Sequence, residues 1–498
     1  MLHSILSDFE ALLDSPRLID DLRAGLIGND VMVDSPFGPH RMLYADYVAS
    51  GRALMQVETF VLEKILPFYA NSHTEASYCG SFCTRTRQAA REYIAQTLGA
   101  NDDFSVLFTG SGATAGINRL VKLLRLTERV TNGQRIVILV GPYEHHSNLL
   151  PWRETGAEII EIPEAMTGGP DLDALGSHLT NCPEADCLIG AFSAASNVTG
   201  IVTDVDAVTR LLNRHGAISI WDYACGAPYL PMDMKAGSDI QKDVVVFSSH
   251  KFPGGPGASG ITVVRNAIVE ASTPSWPGGG TVSYVSPWTH IYSKNLVNRE
   301  EAGTPNVVGD IRAAMVLMVK QALGISWLQE RQQQLRARAI ACWSDNPRLD
   351  IMGLETPEYA LPIFSFRVRD GKGSYVHHQL FTRLLSDVYG IQARGGCACA
   401  GAYAHRLLGL DKAEAARLYE SVSAGHELDK PGWVRLNISA LMTDVKADQL
   451  IESVDQLTRC VDQYATLYKV DEKTARFSYS PALAAKSSMA SMALPPNI

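Results

Sequence analysis

The chain has 498 residues, 46% hydrophobic and 19% charged, the balance of a globular enzyme with room for two or three domains around an extended core. A net charge of −9, a pI near 5.8 and the lack of any Lys/Arg-rich block exclude nucleic acid or an anionic membrane as the main partner and leave small molecules. No apolar run reaches the roughly 18 residues that a membrane helix needs, and nine cysteines, an odd number at low density, point to a reducing compartment with free thiols. The N-terminus, "MLHSILSDFEALLDSPRLIDDLRAG", reads as an acidic amphipathic helix rather than a signal peptide. Residues 1–40 are therefore expected to form a helical segment packing on the smaller domain, and the expected compartment is the cytoplasm.

From about residue 104, short β-branched runs alternate with helix-length stretches. "FSVLFTGSG", "RIVILVGPYEHHS", "CLIGAFSAASN", "AISIWDYA" and "DVVVFSSHK" are near-continuous apolar strands that end in polar residues. This pattern predicts an α/β domain over 41–305, with a mostly parallel sheet covered on both faces. Ligands of such sheets bind beyond the carboxyl ends of the strands, so those polar residues are expected to share one crevice. After about residue 306, longer helices and then the short strands "LPIFSFRVR" and "GWVRLNISAL" predict a smaller α+β domain over 306–477. The Ser/Ala/Pro-rich end is expected to be a loose tail over 478–498.

Four pieces carry chemistry. "TGSGATAGIN" follows a strand and opens a helix, so free N–H groups there suit a phosphate, although a plain glycine turn would read the same way. His145 and His146 follow a strand end; their divergent directions and the lack of further ligand spacing argue against a metal, leaving a ring stacked on a flat cofactor or a surface histidine. Asp222 ends an apolar strand, where a carboxylate needs a cation or donors unless it simply caps a helix. Lys251 stands at the mouth of the last strand with glycines after it. Together they describe pyridoxal 5′-phosphate held by Lys251 as a Schiff base, with Asp222 on a protonated ring nitrogen.

The ordered motifs "EHHSN", "SNVTG", "DYACGA", "SSHKF", "EEAGTPN" and "RGGCACA", within about residues 40–460, resemble the class V aminotransferase family and most closely its cysteine desulfurase branch, which includes selenocysteine lyase-like members. The resemblance implies the type I pyridoxal phosphate fold and a homodimer that shares its sites. It places Ala113, Thr114, Ser248 and His250 at the phosphate, His145 on the ring with His146 as its competitor, and Asn197 near the phenolic oxygen. Gly303 and Thr304 would reach the phosphate of the neighbouring subunit, and Arg435 would fork onto the substrate carboxylate. Cys225 stands where desulfurases usually carry a glutamine, and a thiol is a weak donor. The segment "LDKAEAARLYESVSAGHELDKPGW" is longer than in the core desulfurases.

Cys397 and Cys399 lie on a glycine-rich loop, where Arg394 would favour a thiolate. By its distance from Arg394, Cys399 matches the desulfurase nucleophile; Cys397 would be a relay or resolving thiol, or both would be structural. The C-x-C arrangement also resembles the desulfurase-like domain of molybdenum cofactor sulfurases. The expectation is an enzyme that takes sulfur from L-cysteine as a persulfide, releases alanine and passes sulfur to an acceptor protein. The alternatives are another class V enzyme (C–S lyase, selenocysteine lyase, epimerase or aminotransferase) and a non-catalytic sulfur carrier on the same fold.

Overall fold

The computed structural model describes residues 5–355 and 357–486 and divides them into two units. The first holds 1–27, 50–196 and 201–329; the second holds 28–49, 197–200 and 330–498.

In the first unit, strands β1 (Phe104–Gly110), β2 (Ile136–Val140), β3 (Glu158–Glu161), β4 (Cys187–Ser193), β5 (Ile218–Asp222), β6 (Val244–Ser248) and β7 (Gly260–Arg265) form a seven-stranded sheet ordered β1-β7-β6-β5-β4-β2-β3. The β3-β2-β4-β5-β6 block is parallel, and β7 runs antiparallel to both of its neighbours. β2 and β6 are buried at every residue, as strands covered on both faces must be. The register pairs Ser193 with Asp222, Gly260 with Ser248, and Gly260 with Gly110. The polar strand ends therefore do lie along one edge, as their sequence pattern predicts. Because β6 and β7 are antiparallel neighbours, no crossover helix is needed between them, and the connection is the short glycine-rich loop carrying Lys251.

Helix α1 (Ile5–Leu13) buries Leu6, Phe9 and Leu13, and Phe9 meets Phe60 edge-to-face at 5.1 Å. Helix α2 (Tyr78–Thr97) and helix α3 (Gly112–Leu123) follow, and helix α4 (Val307–Leu323) is buried along almost its whole length. These contacts correct two expected boundaries. Of the expected N-terminal segment, the part up to residue 27 belongs with the large unit, because the apolar face of α1 is buried there, while 28–40 falls in the smaller unit as expected. The large unit also runs past 305, because α4 is its core helix: Asp310 accepts from Arg87 Nε at 2.6 Å and Arg312 pairs with Glu58. The division falls inside helix α5 (Ile325–Trp343).

The second unit is built on an antiparallel sheet of β8 (Leu349–Ile351), β9 (Ile363–Val368), β10 (Arg394–Gly396) and β11 (Trp433–Asn437), ordered β8-β9-β11-β10. Helix α6 (His378–Tyr389) and the later α9 (Asp444–Ala465) supply Leu380, Phe381, Leu384, Leu450, Val454 and Leu457 to its core, with Trp343 edge-on to Phe364 at 5.0 Å. Between them, α7 (Gly401–Leu408) and α8 (Lys412–Ser423) precede β11; α8 buries no residue and is fixed by a capping box of Asp411 and Glu414. Residues 28–49 join this unit because Leu43 and Tyr44 pair in parallel with Ile391 and Gln392, and residues 197–200 because Ser365 Oγ donates to Val198 O at 2.7 Å. Of the expected tail, Arg476–Tyr479 forms a hairpin strand against Tyr468–Asp471, so it is ordered to that point; 487–498 lies outside the described residues. Among the described residues no single helix is long and apolar enough to cross a membrane, and no group of three His/Cys/Asp/Glu could hold a metal.

Candidate active site

In the first unit the site begins where β1 turns into α3. Gly110 and Gly112 both take φ of +66°, which opens the first turn of the helix. Ala113 N donates to Ser248 Oγ at 3.0 Å, joining this turn to the end of β6. The approach is too close for any side chain: a Cβ on Gly112 would sit 2.5 Å from Ser248 Oγ, and one on Gly260 2.4 Å from Gly112 Cα. Gly51 packs so tightly on the lysine loop that a Cβ there would lie 1.9 Å from Phe252 O, and its N–H donates to His250 O at 2.9 Å. The predicted residues Ala113, Ser248, His250 and Lys251 are thus brought together. Burial holds the His250 imidazole below its usual value, and the Lys251 charge adds to that.

Asp222 is buried and accepts from Ala224 N at 2.7 Å. Burial raises its carboxyl above the usual range, while the Ala224 N–H and the nearby Lys251 charge oppose that rise. Cys225, also buried, points its thiol at Ser196 O, 3.6 Å away. His145 is joined to the start of α3 through a chain of hydroxyls: Ser147 Oγ lies 3.1 Å from His145 Nδ1 and 2.7 Å from Thr114 Oγ1. Burial lowers the basicity of His146, and Arg153 lowers it further. Gly303 and Thr304 are exposed, with Gly303 N donating to Gly279 O at 2.8 Å. Just before them, Glu301 is clamped by Arg91 in a bidentate pair of 2.9 and 3.0 Å. Burial pushes the Glu301 carboxyl up, but the Arg91 and Arg87 charges overcome it and hold it below its usual value.

The second unit carries the other candidates. Arg394 on β10 and Arg435 on β11 are direct Cα partners. Both bind Asp46: Arg435 Nη2 donates to Oδ1 at 2.9 Å, and Arg394 Nε donates to Oδ2 at 3.0 Å. Arg435 Nη1 also donates to Asn197 O at 3.2 Å. Hydrogen bonding to Asp46 is the main cause of the raised Arg394 value. Cys399 is exposed and Cys397 half-buried. Ala400 N donates back to Cys397 O at 3.1 Å, and both residues between them, Ala398 and Cys399, take φ of +55°. Cys399 therefore sits at the second central position of a left-handed turn that glycine or asparagine would normally fill. Asn197 Nδ2 fixes the turn by donating to Ala398 O at 2.9 Å, while Asn197 Oδ1 is buried without a partner.

The family model of the class-V aminotransferases matches residues 43–424. The chain belongs to that family. Among its class V relatives, a probable cysteine desulfurase of Vibrio cholerae is 30% identical over 367 residues, covering 72% of this chain and 84% of that protein. The cysteine desulfurase CsdA of Escherichia coli is 29% identical over 368 residues, covering 71% and 84%. Among solved structures, the apo cysteine desulfurase of Thermococcus onnurineus NA1 superposes with a TM-score of 0.71 at 22% identity, over 88% of this chain and 98% of that one. An S-sulfonic acid form of Escherichia coli CsdA gives 0.65 at 23%, over 92% and 99%. The fold is thus the type I fold that the resemblance implies.

Class V membership implies pyridoxal phosphate, and the residues present fit that group. The glycine-lined turn at α3 beside Ser248 suits its phosphate. Asp222, buried and unusually hard to ionise, suits a cationic ring nitrogen that would restore its charge. Two residues of this arrangement escaped sequence reasoning. Asp46 gave no local signal, because its arginine partners lie 348 and 389 residues away in the chain. Glu144 lay inside "EHHSN" but was passed over for the histidines. It is buried, accepts from Ser193 N at 2.9 Å and Ser193 Oγ at 2.6 Å, and also binds Asn148 Nδ2 at 2.5 Å. Burial pushes its carboxyl up to about 7 despite these bonds, with the Asp222 charge adding to the rise.

Proposed function

We propose that this class V enzyme is a pyridoxal phosphate-dependent cysteine desulfurase, working as a homodimer, that moves the sulfur of L-cysteine onto Cys399 and releases alanine. The observation that carries the reading is the Cys399 turn, which presents an exposed thiol in a left-handed backbone conformation held by Asn197. The cysteine desulfurases among the relatives support it.

Ala113, Thr114, Ser248 and His250 would hold the phosphate, His145 would lie on the ring, and Asn197 and Cys225 would stand near its phenolic oxygen. The Thr114–Ser147–His145 chain favours His145 over His146 for the ring. Gly303 and Thr304 would reach the partner's phosphate. When bound, the cofactor withdraws electrons from the substrate Cα. Asp222 keeps the ring nitrogen protonated, and Lys251 Nζ moves the proton at Cα. Arg435 and Arg394 receive the substrate carboxylate. Cys399 Sγ attacks the substrate sulfur: the new S–S bond forms as the Cβ–S bond breaks, and its electron pair stays on Cβ, which takes a proton and leaves as alanine. The persulfide then passes to a sulfur-acceptor protein.

The test is to incubate the pure protein with L-cysteine and assay alanine, sulfide and protein-bound sulfur. Cys399→Ala is expected to keep its cofactor and its spectral response to cysteine but to lose the persulfide and all but background alanine. Cys397→Ala is expected to be milder. Undiminished alanine from both variants would refute the thiol mechanism and favour direct lyase elimination, while a dead Cys397→Ala beside an active Cys399→Ala would move the nucleophile two residues.

A further inference from the structure

Direct Cα partners on an antiparallel pair point to the same face, so Arg394 and Arg435 leave their strands as adjacent like charges. Such a pair destabilises a sheet unless an anion intervenes. Here that anion is Asp46, whose two oxygens are divided between the two guanidiniums at 2.9–3.0 Å. Asp46 is 9% exposed and Arg435 4%, so neither charge has water to fall back on, and each needs the other. The cluster carries two cations and one anion, a net charge of +1. That charge matches one carboxylate. A second carboxylate would find the Arg394 fork already directing Nε and Nη2 to Asp46.

We propose that Asp46 is a positioning and specificity residue: it holds the two arginines in place and sets the site to a single positive charge, selecting amino acids with one carboxylate over those with two. This rests on the reading of Arg435 and Arg394 as the substrate-carboxylate arginines. It also predicts that selectivity follows the charge count. Arg394→Gln brings the cluster to zero, the native chain stands at +1, and Asp46→Asn raises it to +2.

The experiment titrates the cofactor-loaded protein with L-alanine and with L-aspartate, neither of which has sulfur to transfer, and reads binding from the change in cofactor absorption. The affinity for aspartate relative to alanine is expected to rise by at least about tenfold in Asp46→Asn and to fall by a similar factor in Arg394→Gln. The double variant, restored to +1, is expected to return to the native ratio. If Asp46→Asn is too unstable to purify, Arg394→Gln and the double variant still give the comparison. A ratio that stays constant while both affinities drop together would show Asp46 to be only structural and overturn the proposal. If the native protein holds its cofactor but responds to no amino acid, the reading of the arginines fails instead, and the proposal with it.

Discussion

Replacing Glu144 with glutamine isolates one buried proton beside the cofactor residues. In the unfolded chain this carboxyl titrates near 4.5, and in the folded chain burial lifts it to about 7. Between those values the folded protein binds a proton that the unfolded one has lost, so the stability Glu144 contributes is complete below about pH 4.5 and is lost as pH rises through 7. At 1.36 kcal/mol per pH unit, the gap corresponds to something on the order of 3 kcal/mol. The Glu144→Gln chain cannot titrate there and keeps an acceptor for Ser193 N, but its amide meets Asn148 Nδ2 as a second donor, at a cost of about 1–2 kcal/mol. The variant is therefore expected to be less stable than the native chain near pH 5 and to equal or exceed it near pH 8. Urea unfolding of the cofactor-free protein across that range, read as midpoints at constant slope, measures the difference. Parallel pH profiles would mean that Glu144 is already ionised in the folded chain, and would refute the assignment of a neutral buried carboxyl bound to Ser193 and Asn148.

Lys251→Ala is expected to fold but to lack the visible cofactor band and any borohydride-reducible adduct; a retained, reducible band would move the covalent attachment to another lysine. If Gly303 and Thr304 serve the partner's phosphate, dilution to monomers is expected to weaken cofactor retention in step with dissociation. Undiminished retention by the monomer would contradict a shared site.

The large sheet was legible because its strands are covered on both faces, and such strands must be written as unbroken apolar runs. The lysine loop was legible for a related reason, since the glycines after Lys251 mark a backbone that passes within contact of Gly51 and Gly112. What the sequence concealed are pairings across long stretches of chain. Leu43 pairs with Ile391, and Asp46 binds arginines on strands at the other end of the chain; neither partner can be recognised from its neighbours. The boundary at 306 failed because α4, apolar on nearly every side, reads locally like the start of a new helical domain, when that composition is what a helix at the centre of the large unit requires.

Cys397 and Cys399 look interchangeable in "GGCACAG", but the backbone separates them. Left-handed φ costs a residue with a Cβ about 1–2 kcal/mol, and the chain bears that cost twice in succession, at Ala398 and Cys399, although glycines stand only two and three residues before Ala398. Such a turn persists only when its surroundings hold it, and here Asn197 on Ala398 O and the Cys397–Ala400 closure do so. Glycine at 399 would relieve the strain and remove the thiol, so the strain at that position is tied to the thiol's presence. Cys397 keeps an ordinary φ and is half-buried, whereas Cys399 is exposed. The same Asn197 that holds the turn also accepts from Arg435 through its backbone carbonyl, so Arg435 and the cysteine turn meet at one residue. Replacing the Asn197 side chain would remove the bond to Ala398 O and loosen the cysteine turn, while the backbone carbonyl that accepts from Arg435 would remain.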